Sequence, residues 1–304
     1  MEKSECFYYL LYILLNFLCY FLVIISQIKS ITSISISFHI LQILSSFFSL
    51  LFLKITRNKP GYMNKDKKFD KTEKKENKNE TIIIYESSPI VNINLMPNNG
   101  CEICQITKLP LRSHHCPKCE KCVKSFDHHC WILAGCIGEN NRFKFIIYLI
   151  FQNFSIIMSA LGILKIMNSQ ENEILTYILT LLFSVICLFE IIFFWVFVYH
   201  IYLLITNQTT YELFNEDKCL YLSIFSIERN KILSQRGINV NNDIRYKPFD
   251  AGVIKNITLY FKKMFDNNYS IKWDKIYFDN LKSNHVKVKQ DDKNTSKLKI
   301  IETK

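Results

Sequence analysis

The chain has 304 residues, of which 49% are apolar, with 24 Phe, 16 Tyr and only 7 Gly, and a formal charge of +11. Long uncharged runs alternate with segments made almost wholly of Lys, Asn, Asp and Glu, which excludes a single soluble core and fits a membrane protein with solvated loops. No motif that reads RNA or DNA accompanies the positive charge, so a nucleic-acid partner is excluded and the charge reads as topology and contact with anionic lipid.

Residues 6–28 and 30–53 form two uncharged runs separated only by Lys29. A bilayer core of ~30 Å takes about 20 apolar residues as helix, so both qualify as spans. The length of the first run, with a second span directly after it, argues against a cleavable signal peptide. Residues 145–164 make a third run, and residues 174–205 a fourth that only Glu190 and His200 interrupt. The fourth exceeds what a bilayer needs and is expected to tilt or to project beyond the lipid. Residues 54–78 carry ten Lys or Arg, whereas the turn at 168–173, NSQENE, has two acids and no base. Positive charge stays on the cytosolic side, which places both termini and the 54–144 loop in the cytosol. Residues 60–80 are rich in Lys and Asn, low in apolar content, and read as a solvated linker.

The stretch CEICQITKLPLRSHHCPKCEKCVKSFDHHCWILAGC, residues 101–136, holds seven of the eleven cysteines and four of the seven histidines. Cytosolic thiols stay reduced, so metal or catalysis is expected there and not a disulfide framework. Structural zinc takes four Cys or His donors in a closed tetrahedron, commonly offered as C-x2-C pairs. Cys101/Cys104, Cys116/Cys119 and Cys119/Cys122 have that spacing. Two such sites need eight donors. Cys101, Cys104, Cys116, Cys119, Cys122 and Cys136 supply six, and two of His114, His115, His128 and His129 complete the set. Cys130 is left over. It adjoins His129, in a loop pinned at its far end by Cys136. His128 lies two residues before it and projects to the same side of an extended segment. Asp127 can hold the other ring nitrogen. Nucleophile, base and orienting carboxylate thus fall within four consecutive residues, which suits acyl transfer through a thioester.

DHHC within a cysteine-rich region, between the second and third of four spans, resembles the Asp-His-His-Cys protein S-acyltransferases (palmitoyltransferases). The resemblance implies two zinc ions, one held by Cys101, Cys104, His115 and Cys122 and the other by Cys116, Cys119, His129 and Cys136. It implies Cys130 as the acyl-carrying nucleophile, His128 as base and Asp127 as its orienter, with His114 facing solvent or supporting the ligands from outside. Thr209–Glu212, TTYE, resembles the family's Thr-Thr-x-Glu motif, in which Thr209, Thr210 and Glu212 brace the active site against the membrane helices. PFDAGVIKNITLYF, 248–261, resembles its C-terminal segment, with Pro248, Phe249, Asp250, Gly252, Asn256 and Phe261 in register. Trp131-Ile132 replaces the usual Pro-Trp pair, Ala134-Gly135 replaces Asn-Asn, and the Cys104–His115 interval is one residue longer than the common spacing. Ile254, Ile257, Phe261 and Phe265 share one helical face, which suits either core packing or the bilayer interface.

The expected fold is an all-α membrane protein of four transmembrane helices, with a small cytosolic zinc-binding cysteine-rich domain of short β-hairpins between helices 2 and 3. Its divisions are helices 1 and 2 (1–55), a basic linker (56–97), the cysteine-rich domain (98–142), helices 3 and 4 (143–205), a C-terminal cytosolic segment (206–270) and a polar tail (271–304). The implied activity moves a long-chain acyl group from acyl-CoA, palmitoyl-CoA above all, to proteins with juxtamembrane cysteines, in an endomembrane or the plasma membrane. Glu190 is expected to be protonated and bonded to Asn16 or Asn153, and His39 and His200 to make hydrogen bonds between helices. Cys6 is a candidate for acylation, whereas Cys19 and Cys187 read as packed or lipid-facing thiols. A non-catalytic zinc scaffold would need every Cys as a ligand, and the count leaves one over. Metal transport would need ionisable residues in several spans, where only Glu190, His39 and His200 stand.

Overall fold

In the computed structural model, the described residues are 21, 36–64, 100–168, 171–234, 247–266 and 269–280. All of the first predicted span but Phe21, residues 65–99 with most of the linker, and residues 281–304 lie outside them. Three helices among the described residues are long and apolar enough to cross a membrane. They are α1 (Ile36–Arg57), α2 (Arg142–Met167) and α3 (Glu173–Ile205). The predicted count of four therefore stands at three here.

α2 packs against both α1 and α3. A polar seam that the hydropathy pattern did not announce joins it to α1. Gln42 Nε2 donates to Ser159 Oγ at 2.9 Å, Ser46 and Ser155 share a hydrogen bond of 2.9 Å, and Ser49 donates to Gln152. The rungs recur at helical spacing (42, 46, 49 against 159, 155, 152), so one face of each helix carries them all. Beside them Phe151 stacks between Phe48 and Phe52, at 5.1 and 5.7 Å. α3, at 33 residues, is about 50 Å long, well beyond an apolar layer of ~30 Å. Its final turns explain the excess, for His200, Leu203 and Leu204 are buried. Leu204 belongs to the apolar core under the C-terminal segment, with Phe249, Tyr260, Trp273 and Tyr277.

Two antiparallel hairpins lie between α1 and α2: β1 (His114–Cys116) with β2 (Lys121–Val123), and β3 (His128–Cys130) with β4 (Gly135–Ile137). Gln105, Arg112, Glu120, Ser125 and Ala134 have φ between +43° and +68°, the left-handed region that L residues seldom occupy. Gln105 and Glu120 each directly follow the second Cys of a C-x2-C pair, where the chain must reverse to aim both sulfurs at one point. Gly138 is required for a different reason: a Cβ there would lie 2.6 Å from Val123 Cγ1 and 2.7 Å from the Pro60 carbonyl.

After α3 come α4 (Thr210–Phe214), a 3-10 turn (Glu216–Lys218), α5 (Leu220–Ser234) and α6 (Val253–Phe265). Two predicted boundaries move. Residues 273–280 are helical, and Ile271, Trp273 and Tyr277 are buried, so the polar tail does not begin at 271. Their i, i+4 spacing buries two aromatics among charged neighbours, too sparse a pattern to read as core. Likewise the linker does not begin at 56. α1 runs to Arg57, Met63 N donates to Cys122 O, and Lys124 N donates to Gly61 O, which ties residues 61–63 to the first hairpin. Residues 253–265 pack on the core through Leu259, Tyr260 and, in part, Ile257, and leave most of the expected apolar face outside it. Ile254, Phe261 and Phe265 are exposed, while Asn256, Leu259, Tyr260 and Lys263 are buried.

Candidate active site and metal centres

Strand alternation sorts the cysteine-rich residues. In β1, neighbouring residues face opposite ways, so His115 turns to one side and Cys116 to the other. His115 pairs with Cys122 across the first hairpin, and His129 with Cys136 across the second. Paired residues share a face, and each pair completes a quartet with one C-x2-C turn. The two quartets are Cys101, Cys104, His115, Cys122 and Cys116, Cys119, His129, Cys136.

His115 Nδ1 lies 3.7, 3.2 and 3.9 Å from the sulfurs of Cys101, Cys104 and Cys122. His129 Nδ1 lies 3.5, 3.4 and 3.7 Å from those of Cys116, Cys119 and Cys136. Zinc–sulfur bonds of ~2.3 Å and zinc–nitrogen bonds of ~2.0 Å set tetrahedral S···N edges of about 3.5 Å, so three sulfurs and one imidazole nitrogen per quartet fit a structural zinc. The described cysteines form no disulfide.

Alternation also separates His129 from its neighbours. His128 and Cys130 occupy the opposite face of β3, and Cys130 pairs with Gly135, which offers no side chain there. Cys130 belongs to neither quartet. It packs instead with Leu53 of α1, Phe145, Tyr148 and Leu149 of α2 and Phe193 of α3. The sulfur therefore sits in an apolar cluster to which all three long helices contribute.

His128 Nδ1 donates to Asp127 Oδ2 at 2.7 Å, and Cys130 lies on the same face of β3 as His128. Asp127 is buried, 1% exposed, and held from other elements: Thr210 N donates to Oδ1 at 2.8 Å and Thr210 Oγ1 to Oδ2 at 3.0 Å. Arg142 Nη2 lies 3.9 Å from Oδ1. Burial works against the charge on Asp127, but the His128 hydrogen bond and the Arg142 guanidinium outweigh it and hold the carboxyl well below its usual range. For His128, burial opposes the cation, and the Asp127 bond with the Cys130 sulfur overrides it, raising the imidazole to about 10.

TTYE builds a capping box at the start of α4: Thr209 Oγ1 accepts from Glu212 N at 3.1 Å, and Thr209 N donates to Glu212 Oε2 at 2.9 Å. The box aims Thr210 at Asp127. Glu212 in turn takes two donations from Arg112, both at 2.7 Å, and one from Tyr221 at 3.0 Å. Arg112 lies over Phe249 and Trp273, 4.2 and 4.4 Å from their centroids. Asn256 is fully buried; its Nδ2 donates to Ile205 O and Asp250 Oδ1, both at 2.7 Å, and its Oδ1 accepts from Ala251 N at 3.0 Å. It thereby ties the end of α3 to the start of α6.

Residues 94–217 match the family model described as DHHC palmitoyltransferase. The chain is 30% identical over 171 residues to the putative ZDHHC-type palmitoyltransferase 7 of Dictyostelium discoideum, covering 53% of this chain and 34% of that one. It is 32% identical over 133 residues to palmitoyltransferase ZDHHC14 of Homo sapiens (40% and 26%), and 35% identical over 96 residues to palmitoyltransferase SWF1 of Saccharomyces cerevisiae (30% and 28%). The chain thus spans about a third or less of the length of these relatives.

Several residues stand elsewhere than expected. His114 does not face solvent: its ring stacks on Tyr211 at 4.0 Å between centroids, and burial lowers its imidazole to about 4. Asn153, expected beside Glu190, donates to Leu149 O instead, Asn16 lies outside the described residues, and Glu190 Oε2 has no hydrogen-bond partner among those described. His39 sits edge-on to Phe38. His200 is no bridge between helices but stands beside Asp127 and His128. Arg112 and Arg142 escaped the sequence reading. Single arginines carry no spacing signal, and only their burial among carboxylates and aromatic rings marks them.

Proposed function

We propose that this chain is a protein S-acyltransferase that moves a long-chain acyl group from acyl-CoA to protein cysteines through an acyl-Cys130 thioester. The observation that carries the reading is a sulfur outside both metal quartets, on the same strand face as an Asp-oriented imidazole and packed among apolar side chains of the three long helices. His128 takes the Cys130 proton, and the thiolate attacks the thioester carbonyl of the donor. The tetrahedral intermediate collapses, CoA leaves as its thiolate, and the proton on His128 returns to it. In the second half the acceptor cysteine gives its proton to His128, attacks acyl-Cys130, and restores the free thiol. Asp127 keeps the ring in the tautomer with its proton on Nδ1 and steadies the imidazolium.

Zinc, when bound, supplies folding energy to the closed quartets, Cys101/Cys104/His115/Cys122 and Cys116/Cys119/His129/Cys136. Donor and acceptor both partition to the membrane surface, which raises their effective concentration. The acyl chain would lie along Leu53, Tyr148, Leu149 and Phe193, with the CoA phosphates on the basic cytosolic face. The exposed face of α6, Ile254 with Phe261 and Phe265, suits the bilayer interface. Both termini and the DHHC domain would be cytosolic, and acceptors would be proteins with cysteines near the membrane.

The test is incubation of the purified full chain with a clickable palmitoyl-CoA analogue. Wild type is expected to take up hydroxylamine-labile label and Cys130→Ser none, with zinc content equal in both. Label that survives the substitution removes the role of Cys130, and no label on either favours a zinc-held scaffold.

A further inference from the structure

One titratable side chain in the catalytic cluster has no part in the steps above. His200, in the closing turns of α3, is 4% exposed. Its ring centroid lies 5.3 Å from that of His128, and it meets Phe145 edge-on at 4.9 Å. Its Nδ1 stands 3.9 Å from Asp127 Oδ2, beyond hydrogen-bond reach, and has no partner among the described residues. A buried ring nitrogen without a partner is uncommon. The group it faces is the carboxylate that aims the base.

Asp127, His128 and His200 could in principle embrace a cation, since their ligand atoms lie within 4.8 Å of one another. The carboxylate argues against that. It already accepts from Thr210 N, Thr210 Oγ1 and His128 Nδ1, with the Arg142 guanidinium 3.9 Å away. A carboxylate offers about four acceptor positions, so three donors leave room for one more hydrogen bond and little for a metal.

We propose that His200 is a positioning residue for acyl transfer, its Nδ1–H acting as the fourth donor to Asp127. A closure of about 1 Å completes the bond. The existing donors come from α4 and from β3 itself, so the carboxylate can still swing about Thr210 and carry His128 off the line to Cys130. A donor from α3 removes that freedom. It also ties the base to the helix that contributes Phe193 to the apolar cluster around Cys130.

This inference rests on the acyltransferase reading, and its test separates the two. The initial rate of hydroxylamine-labile labelling from clickable palmitoyl-CoA is measured on full-length wild type, His200→Phe, His200→Asn and His200→Gln, with zinc content and melting temperature alongside. Asn places an amide N–H near the position of Nδ1, and Gln places it near Nε2. His200→Phe is expected to slow labelling about tenfold with zinc content unchanged, while His200→Asn stays within about threefold of wild type. A Phe variant that labels at the wild-type rate overturns the proposal. Should the Phe variant fail to fold, the amide pair decides: fast Asn with slow Gln supports the role, and equal rates overturn it. Wild type that takes no label at all sinks the acyltransferase reading instead.

Discussion

The two Cys/His quartets have the same donors and similar spacing, yet they stand in different relation to Cys130. In the first, Cys101, Cys104, His115 and Cys122 close the first hairpin, and their apolar surroundings are Ile106, Met63 and Leu109. In the second, His129 and Cys136 sit on the two strands that carry and face Cys130. A metal there fixes the register of β3 on β4 directly. The first acts through more intermediates: β1 holds His115 and Cys116 side by side, and Arg112, two residues before β1, reaches Glu212 at the start of α4. Identical donor sets are thus expected to have unequal consequences for acyl transfer, because the distance along the backbone from ligand to Cys130 differs.

The sharpest way to break this contrast is to remove one ligand from each quartet. His129→Ala is expected to lose one zinc per chain and to lower labelling at Cys130 by about a hundredfold, read by elemental analysis and clickable palmitoyl-CoA. Cys104→Ala is expected to lose one zinc as well, with a smaller loss of about tenfold, since the second hairpin keeps its own metal. Equal losses would erase the distinction.

Glu212→Gln probes the link between the regions. Removing one partner of a buried pair costs about 3–5 kcal/mol, so its melting temperature is expected to fall clearly at neutral pH. The sign with pH is fixed by the direction of the shift. Burial raises the Glu212 carboxyl, the Arg112 guanidinium outweighs it, and the net displacement is downward. The stability this supplies is complete above the ordinary carboxylate value of 4.5 and is lost as pH falls through the depressed one. The gap in melting temperature between wild type and variant is therefore expected to narrow in acid. The smallest effect is expected at Gly135, opposite Cys130. An added Cβ would meet only Leu133 O at 3.8 Å and Arg57 at 4.0 Å, so Gly135→Ala should label within about twofold of wild type.

The sequence by itself determined the apolar runs, the three C-x2-C spacings and the surplus of one cysteine over two four-donor sites. These are properties of spacing: a span needs a minimum length, a tetrahedron four donors, and a strand alternates its faces. It also carried the capping box at Thr209 and Glu212, because that motif closes within one turn. Only the tertiary structure decided which side chains meet from distant elements. Arg112 finds Glu212 a hundred positions away, His200 arrives beside Asp127 from the far end of α3, and Trp273 and Tyr277 enter the core from a stretch that reads as polar. No local periodicity encodes such meetings, since they follow from how helices and hairpins stack once each has formed, and burial then selects which lone polar groups acquire partners.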